Sequence, residues 1–114
     1  MRAIERKMIE AIKAGKDWHS GNTAVHMVPD LGYIVTLHSN NIAVFRNKDR
    51  VLGITLAGWP TPTTRSRINA VLFGLATGAV VYRKNGRSMV SGDGVACTFA
   101  REMGSHEWVE VKVP

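Results

Sequence analysis

Cysteine occurs once in this chain of 114 residues, as Cys97, so no disulfide can close within it. That suits a reducing compartment. With no His, Asp or Glu beside it, the thiol reads as a small buried hydrophobe rather than a nucleophile. Acidic residues are also scarce, nine against 15 Lys and Arg, and no two fall at a spacing that suggests a hydrolytic dyad. Apolar runs never exceed a few residues, which excludes a membrane-spanning helix. A charged, helix-like pattern follows Met1-Arg2 without an apolar core, so no secretory leader is expected. No Pro-, Ser- or Gln-rich tract, repeat or linker interrupts a composition that is 45% apolar and 21% charged. The expectation is a single folded domain spanning residues 1–114.

Other chemistry is missing as well. Gly92-Asp93-Gly94 lacks the Lys-Ser/Thr that would make a glycine-rich stretch a phosphate loop, and it reads as a turn. His19, His26, His38 and His106 do not keep the short intervals of a zinc site. His26 and His38 fall on neighbouring strands in this reading, but two ligands do not make a site. No catalytic residue, metal or cofactor is therefore expected, and the chain does not read as an enzyme.

What the chain does have is positive charge, and it is unevenly placed. The net charge is +6, made of +1 over residues 1–45, +7 over residues 46–87 and −2 over the remainder. The middle segment holds Arg46, Lys48, Arg50, Arg65, Arg67, Arg83, Lys84 and Arg87 against Asp49 alone.

The pattern of residues predicts an α+β fold, an antiparallel β-meander and hairpin sheet packed by an N-terminal helix and a central helix. Ile4, Met8, Ile9 and Ile12 recur at helical spacing over residues 2–14, with Gly15 placed as a C-cap. Arg2, Arg6, Lys7, Glu10 and Lys13 form the opposite, solvated face. Strands follow at Thr23 to Val28, Tyr33 to His38, Ile42 to Arg46 and Val51 to Leu56, with turns at Pro29-Asp30-Leu31-Gly32, Ser39-Asn40-Asn41 and Asn47-Lys48-Asp49. Thr61 as N-cap and Pro62 at the first helical position open the central helix, over about residues 62–77. Its stripe is Ile68, Val71, Leu72 and Leu75, and Gly78 ends it. Asn85-Gly86 between two strand-like runs predicts a hairpin over Val80 to Val90. A last strand runs from Glu107 to Val113, and a short one falls near Cys97 to Phe99.

Two segments carry a resemblance. Leu37-His38-Ser39-Asn40-Asn41-Ile42-Ala43 and Ala57-Gly58-Trp59-Pro60-Thr61-Pro62-Thr63-Thr64-Arg65-Ser66-Arg67-Ile68-Asn69-Ala70-Val71-Leu72 are similar to a family of small uncharacterised proteins of tailed bacteriophages. In that family a Leu-His-Gly-Asn-x-Ile-Ala hairpin precedes a Gly-Trp-x-Thr-x-Thr-Thr helix start. The resemblance spans about residues 22–90, and Ser39 stands where the family has Gly. It implies a phage origin, a host cytoplasm and a role in host takeover or counter-defence, without implying a mechanism.

Two presenting elements emerge for a binding role. At the helix start, backbone N–H groups, the positive end of the helix dipole, the Thr63 and Thr64 hydroxyls, Arg65 and Arg67 would converge on one anion, with Trp59 held extended before Pro60 as an aromatic anchor. The plainer alternative is that Thr61 merely caps the helix and the arginines solvate it. Trp18 and Trp108 read as core anchors. At the hairpin tip, Arg83, Lys84 and Arg87 flank a two-residue turn, either as a basic ribbon that follows a nucleic-acid backbone or as an ordinary soluble hairpin end. The partner is then a nucleic acid or an acidic host protein, such as a polymerase, nuclease or defence component. A third reading is a sequestered nucleotide signal, which requires a pocket at the helix start.

Overall fold

In a computed structural model of the chain, which describes residues 1–96 and 100–114, the apolar stripe of the first helix, α1 (Ala3–Ala14), turns inward. Met8, Ile9 and Ala11 are buried, and Gly15 ends the helix with φ 66°. Cys97, and the strand expected near Cys97 to Phe99, lie outside the described residues.

The meander forms much as alternation predicts. Strands β1 (Trp18–Ser20), β2 (Thr23–Val28), β3 (Gly32–Leu37), β4 (Asn40–Arg46) and β5 (Val51–Ile54) pair antiparallel in sequence order, and the last strand, β9 (Val109–Lys112), closes the sheet against β5. Val25, Val35, Ala43, Ile54 and Val109 follow one another across the registers and are all buried, so one face of the sheet is the core face. The turn expected at Ser39-Asn40-Asn41 sits instead at His38-Ser39, whose φ angles are 50° and 65°. A register shift after Val35 sets Asn41 opposite Thr36 and Asn40 opposite Leu37, which leaves Ile42 as the extra residue of a bulge. Ile42 is buried, and its carbonyl accepts the Thr55 N–H at 3.0 Å.

The hairpin does not join the meander. β6 (Val80–Lys84), β7 (Arg87–Ser91) and β8 (Arg101–Glu102) make a separate three-stranded sheet, with Asn85 and Gly86 at φ 52° and 76° as a primed turn requires. It is tied to the second helix, α2 (Pro62–Gly74), through Asn69. That amide donates to the Val81 carbonyl and accepts the Val81 N–H, both at 2.8 Å. An isolated bridge between Val95 and Val111 links the β7–β8 connection to β9.

α2 starts at Pro62 as expected but ends at Gly74, short of Gly78. Ala76 takes φ 57°, and the Thr77 N–H and hydroxyl both donate to the Leu72 carbonyl, which terminates the helix early. Gly74 is also where α1 approaches, since a Cβ there would lie 2.6 Å from Ile9 Cδ1. One apolar cluster takes residues from both helices and both sheets, among them Met8, Val35, Leu52, Ile68, Leu72, Val81 and Val90. No helix among the described residues is long and apolar enough to cross a membrane.

Ser39 occupies the left-handed region without being Gly or Asn, a conformation that costs an L-residue roughly 1 kcal/mol. Ser39→Gly relieves that cost while adding freedom to the unfolded chain. The expected outcome is a net gain of about 0.5 kcal/mol in urea unfolding with an unchanged slope; a loss of stability would contradict the turn geometry.

Candidate functional site

The segment after β5 is forced outward by its own backbone. Ala57 and Gly58 adopt φ 54° and 82°, the Trp59 N–H donates to the Leu56 carbonyl at 2.9 Å, and the Thr61 N–H to the Trp59 carbonyl at 2.8 Å. The turn is also clamped from the far end of the chain. The Gly58 N–H donates to the Ser105 carbonyl at 2.7 Å, and the His106 ring lies so close over Gly58 that a Cβ would sit 2.7 Å from its Cε1. Residues 104–107 are fixed in turn by Glu107, whose carboxylate accepts both Arg101 Nη atoms, at 3.2 and 2.8 Å, and the Gly104 N–H at 3.0 Å. These bonds, the Arg101 one first, hold the Glu107 carboxyl below its ordinary range. The result is an indole, Trp59, that is 61% exposed.

Trp59 stands on the rim of a cleft of about 520 Å³. Its walls are Leu37 and Ile42 from the β3–β4 hairpin and Leu56 and Ala57 from the segment after β5. Polar groups enter from His38 and Asn40 on one side and Thr61, Thr63 and Thr64 on the other. The two segments that carry the phage resemblance therefore face each other across one concavity. Thr61 caps α2 by accepting the Thr64 N–H at 3.1 Å, and the two hydroxyls are 2.9 Å apart, with Thr64 only 1% exposed. Thr63 makes no side-chain hydrogen bond among the described residues.

The arginines behave differently from expectation. Arg65 folds back to donate to the Pro60 carbonyl at 2.9 Å and does not line the cleft. Arg67 was expected at the helix mouth, but five residues past the helix start its side chain points into the core, where it is 4% exposed. There Nη1 donates to Glu5 Oε2 at 2.8 Å and Nε to Thr23 Oγ1 at 2.9 Å. Ser66 Oγ donates to the same Glu5 oxygen at 2.6 Å, and the Arg2 N–H reaches Oε1 at 3.1 Å. Burial pushes the Glu5 carboxyl up, but these hydrogen bonds and the guanidinium charge outweigh it and hold the group below the ordinary carboxylate value.

The basic middle segment is thus largely consumed within the chain. Arg46 pairs with Asp49 and Glu110, Arg50 donates to the Pro114 carbonyl and lies over the Phe45 ring, and Arg87 stands 3.6 Å from Glu102. Among the described residues only Lys48, Arg83 and Lys84 of that segment lack such a partner. Arg83, Lys84 and Arg87 are exposed on the second sheet and line no part of the Trp59 cleft. Of the other tryptophans, Trp18 packs half-buried against the core and Trp108, 49% exposed, covers Gly53.

Sequence reasoning left His38 as a sheet-face residue, yet it lines both the cleft and an adjoining groove shared with His19 and His26. Its place in a Leu37-to-Ile42 turn was the only signal that could have found it. Among the described residues no three His, Cys, Asp or Glu come together as a metal-holding group.

The family model for the Kyanoviridae Gp96 protein, a bacteriophage family, matches residues 1–112. No curated protein and no solved structure matches the chain.

Removing one partner of a buried ion pair strands the other charge, so Arg67→Ala is expected to lower unfolding free energy by about 3–5 kcal/mol in a urea titration. Because the folded-state Glu5 value is depressed, its contribution is present above the unfolded carboxylate value and is lost as pH falls through the folded one. The stability difference between wild type and Glu5→Gln should therefore shrink between about pH 7 and about pH 3. A difference that stays constant over that range would rule out the ionised pair.

Proposed function

The chain belongs to the Kyanoviridae Gp96 family of bacteriophage proteins, and from that premise we propose that it is a small non-catalytic binding protein. It acts inside the infected host in takeover or counter-defence, sequestering a ligand in the Trp59 cleft. The observation that carries this reading is concavity. An exposed indole stands beside four apolar walls and a few convergent hydroxyl, imidazole and amide groups, in a volume typical of small-ligand sites. An exposed aromatic of this size is otherwise unfavourable surface, and the turn that holds it outward is clamped by Ser105 and His106. The acidic-protein reading loses support because Arg67 is buried against Glu5 and Arg65 is tied to the Pro60 carbonyl, so neither guanidinium lines the Trp59 cleft.

The test is purification of the full chain from host lysate, followed by denaturation and mass spectrometry of whatever is released. A small molecule retained by wild type and depleted roughly tenfold by Trp59→Ala is the expected result. An empty wild-type protein, or a host protein retained through Trp59 after nuclease treatment, would sink the sequestering reading.

A second reading, nucleic-acid contact by the hairpin tip, is favoured by the exposed Arg83 and Lys84, which have no ion-pair partner among the described residues. With only Arg83, Lys84 and Arg87 available there, the slope of log affinity against log salt should be no steeper than about −3. Binding that ignores Arg83→Ala and Lys84→Ala removes this reading.

A further inference from the structure

We infer that the ligand of the Trp59 cleft is a free mononucleotide, with its base against Trp59 and its phosphate in the adjoining groove. This rests on the reading of the cleft as a ligand site and adds the chemistry of the occupant. The second concavity, about 600 Å³, continues from the cleft across His38 and lies over the outer ends of β1, β2 and β3. It is more polar than the cleft. His19, His26 and His38 face it together with Asn22, Thr36 and Ser39, and no carboxylate is among its lining residues.

The direction of its hydrogen bonds is set from the core. Arg67 can only donate, so Thr23 Oγ1 accepts from Nε at 2.9 Å and must send its own proton elsewhere. That proton goes to Asn22 Oδ1 at 2.9 Å. With its carbonyl oxygen occupied, Asn22 has the N–H donors of its amide left for the groove. A buried guanidinium is thereby relayed to the surface as an amide donor, beside three imidazoles and two hydroxyls with no competing acid. This arrangement favours an anion rich in acceptor oxygens. The neighbouring indole and its aliphatic walls favour a planar ring. A ligand with a flat apolar ring at one end and an acceptor-rich anion at the other is a nucleotide. Each concavity, about 520 and about 600 Å³, is of single-ligand size, which points to the free nucleotide and not to a strand.

Calorimetric titration of the full chain with AMP, GMP, CMP and UMP, each beside its nucleoside, tests this. At least one nucleotide should bind roughly tenfold tighter than its own nucleoside. Trp59→Ala should weaken both by roughly tenfold. Asn22→Asp, which sets a carboxylate where the amide donors point, should remove most of the nucleotide's advantage and leave the nucleoside unaffected, with an unchanged melting temperature confirming the fold. Equal affinities for nucleotide and nucleoside, or full nucleotide affinity in Asn22→Asp, would overturn the phosphate assignment while leaving the cleft as a ring-binding site. Tighter binding of a short single-stranded oligonucleotide than of any mononucleotide would overturn the free-nucleotide assignment. No binding of any ring-bearing probe would overturn both the nucleotide and the cleft.

Discussion

The ion pair of Glu5 and Arg67 is the constraint on which the rest of the molecule is arranged. It joins residues 62 positions apart in the sequence, at 2.8 Å, with only 5% and 2% of the two side chains exposed. Isolated charges in such a place would cost several kcal/mol each, and the attraction between them offsets that only when the remaining donors and acceptors are also satisfied. Here they are. Ser66 and the Arg2 N–H complete the carboxylate, and Thr23 takes a second guanidinium proton. Because α1, α2 and β2 each contribute a member, the bundle of bonds fixes the rotation of α2 about its own axis. That rotation decides that Thr63 and Thr64 meet the cleft while Arg67 does not.

Around the cleft the backbone departs from relaxed geometry. His38, Ser39 and Ala57 all have positive φ without being glycine, and each borders one of the two concavities. Such residues cost roughly 1–2 kcal/mol apiece and persist where surrounding contacts over-determine them. The contacts are visible: the His38 N–H donates to the Asn22 carbonyl at 2.8 Å, and the Ala57 N–H to Thr55 Oγ1 at 3.2 Å. The primed turn leaves His38 lining both the apolar cleft and the polar groove.

Much of this was legible in residues that act locally. Thr61 and Pro62 announce the start of α2, Asn85-Gly86 announces its hairpin, and Gly15 announces the end of α1, because caps and tight turns depend on neighbours in sequence. The bulge at Ile42 moved the β3–β4 turn by one residue, since cross-strand register depends on packing as well as on turn residues. Arg67 was misread for a related reason. Its helical position suggested a solvated cation at a helix mouth, and only the tertiary approach of Glu5 makes burial tolerable. The hairpin's departure into its own sheet was equally hidden, because alternation specifies a buried face without naming the strand that lies beside it.

The Asn69 amide has a consequence beyond attaching α2 to the second sheet. A strand at the margin of a sheet offers a free N–H and C=O as a template for another chain. Asn69 takes up both backbone groups of Val81, the second residue of that margin, and so imitates there the neighbour that β6 does not have. At the opposite margin of the larger sheet, β1 has only three residues, too short a rail for another strand to grip. These two margins are thereby poor templates for pairing with another copy of the chain.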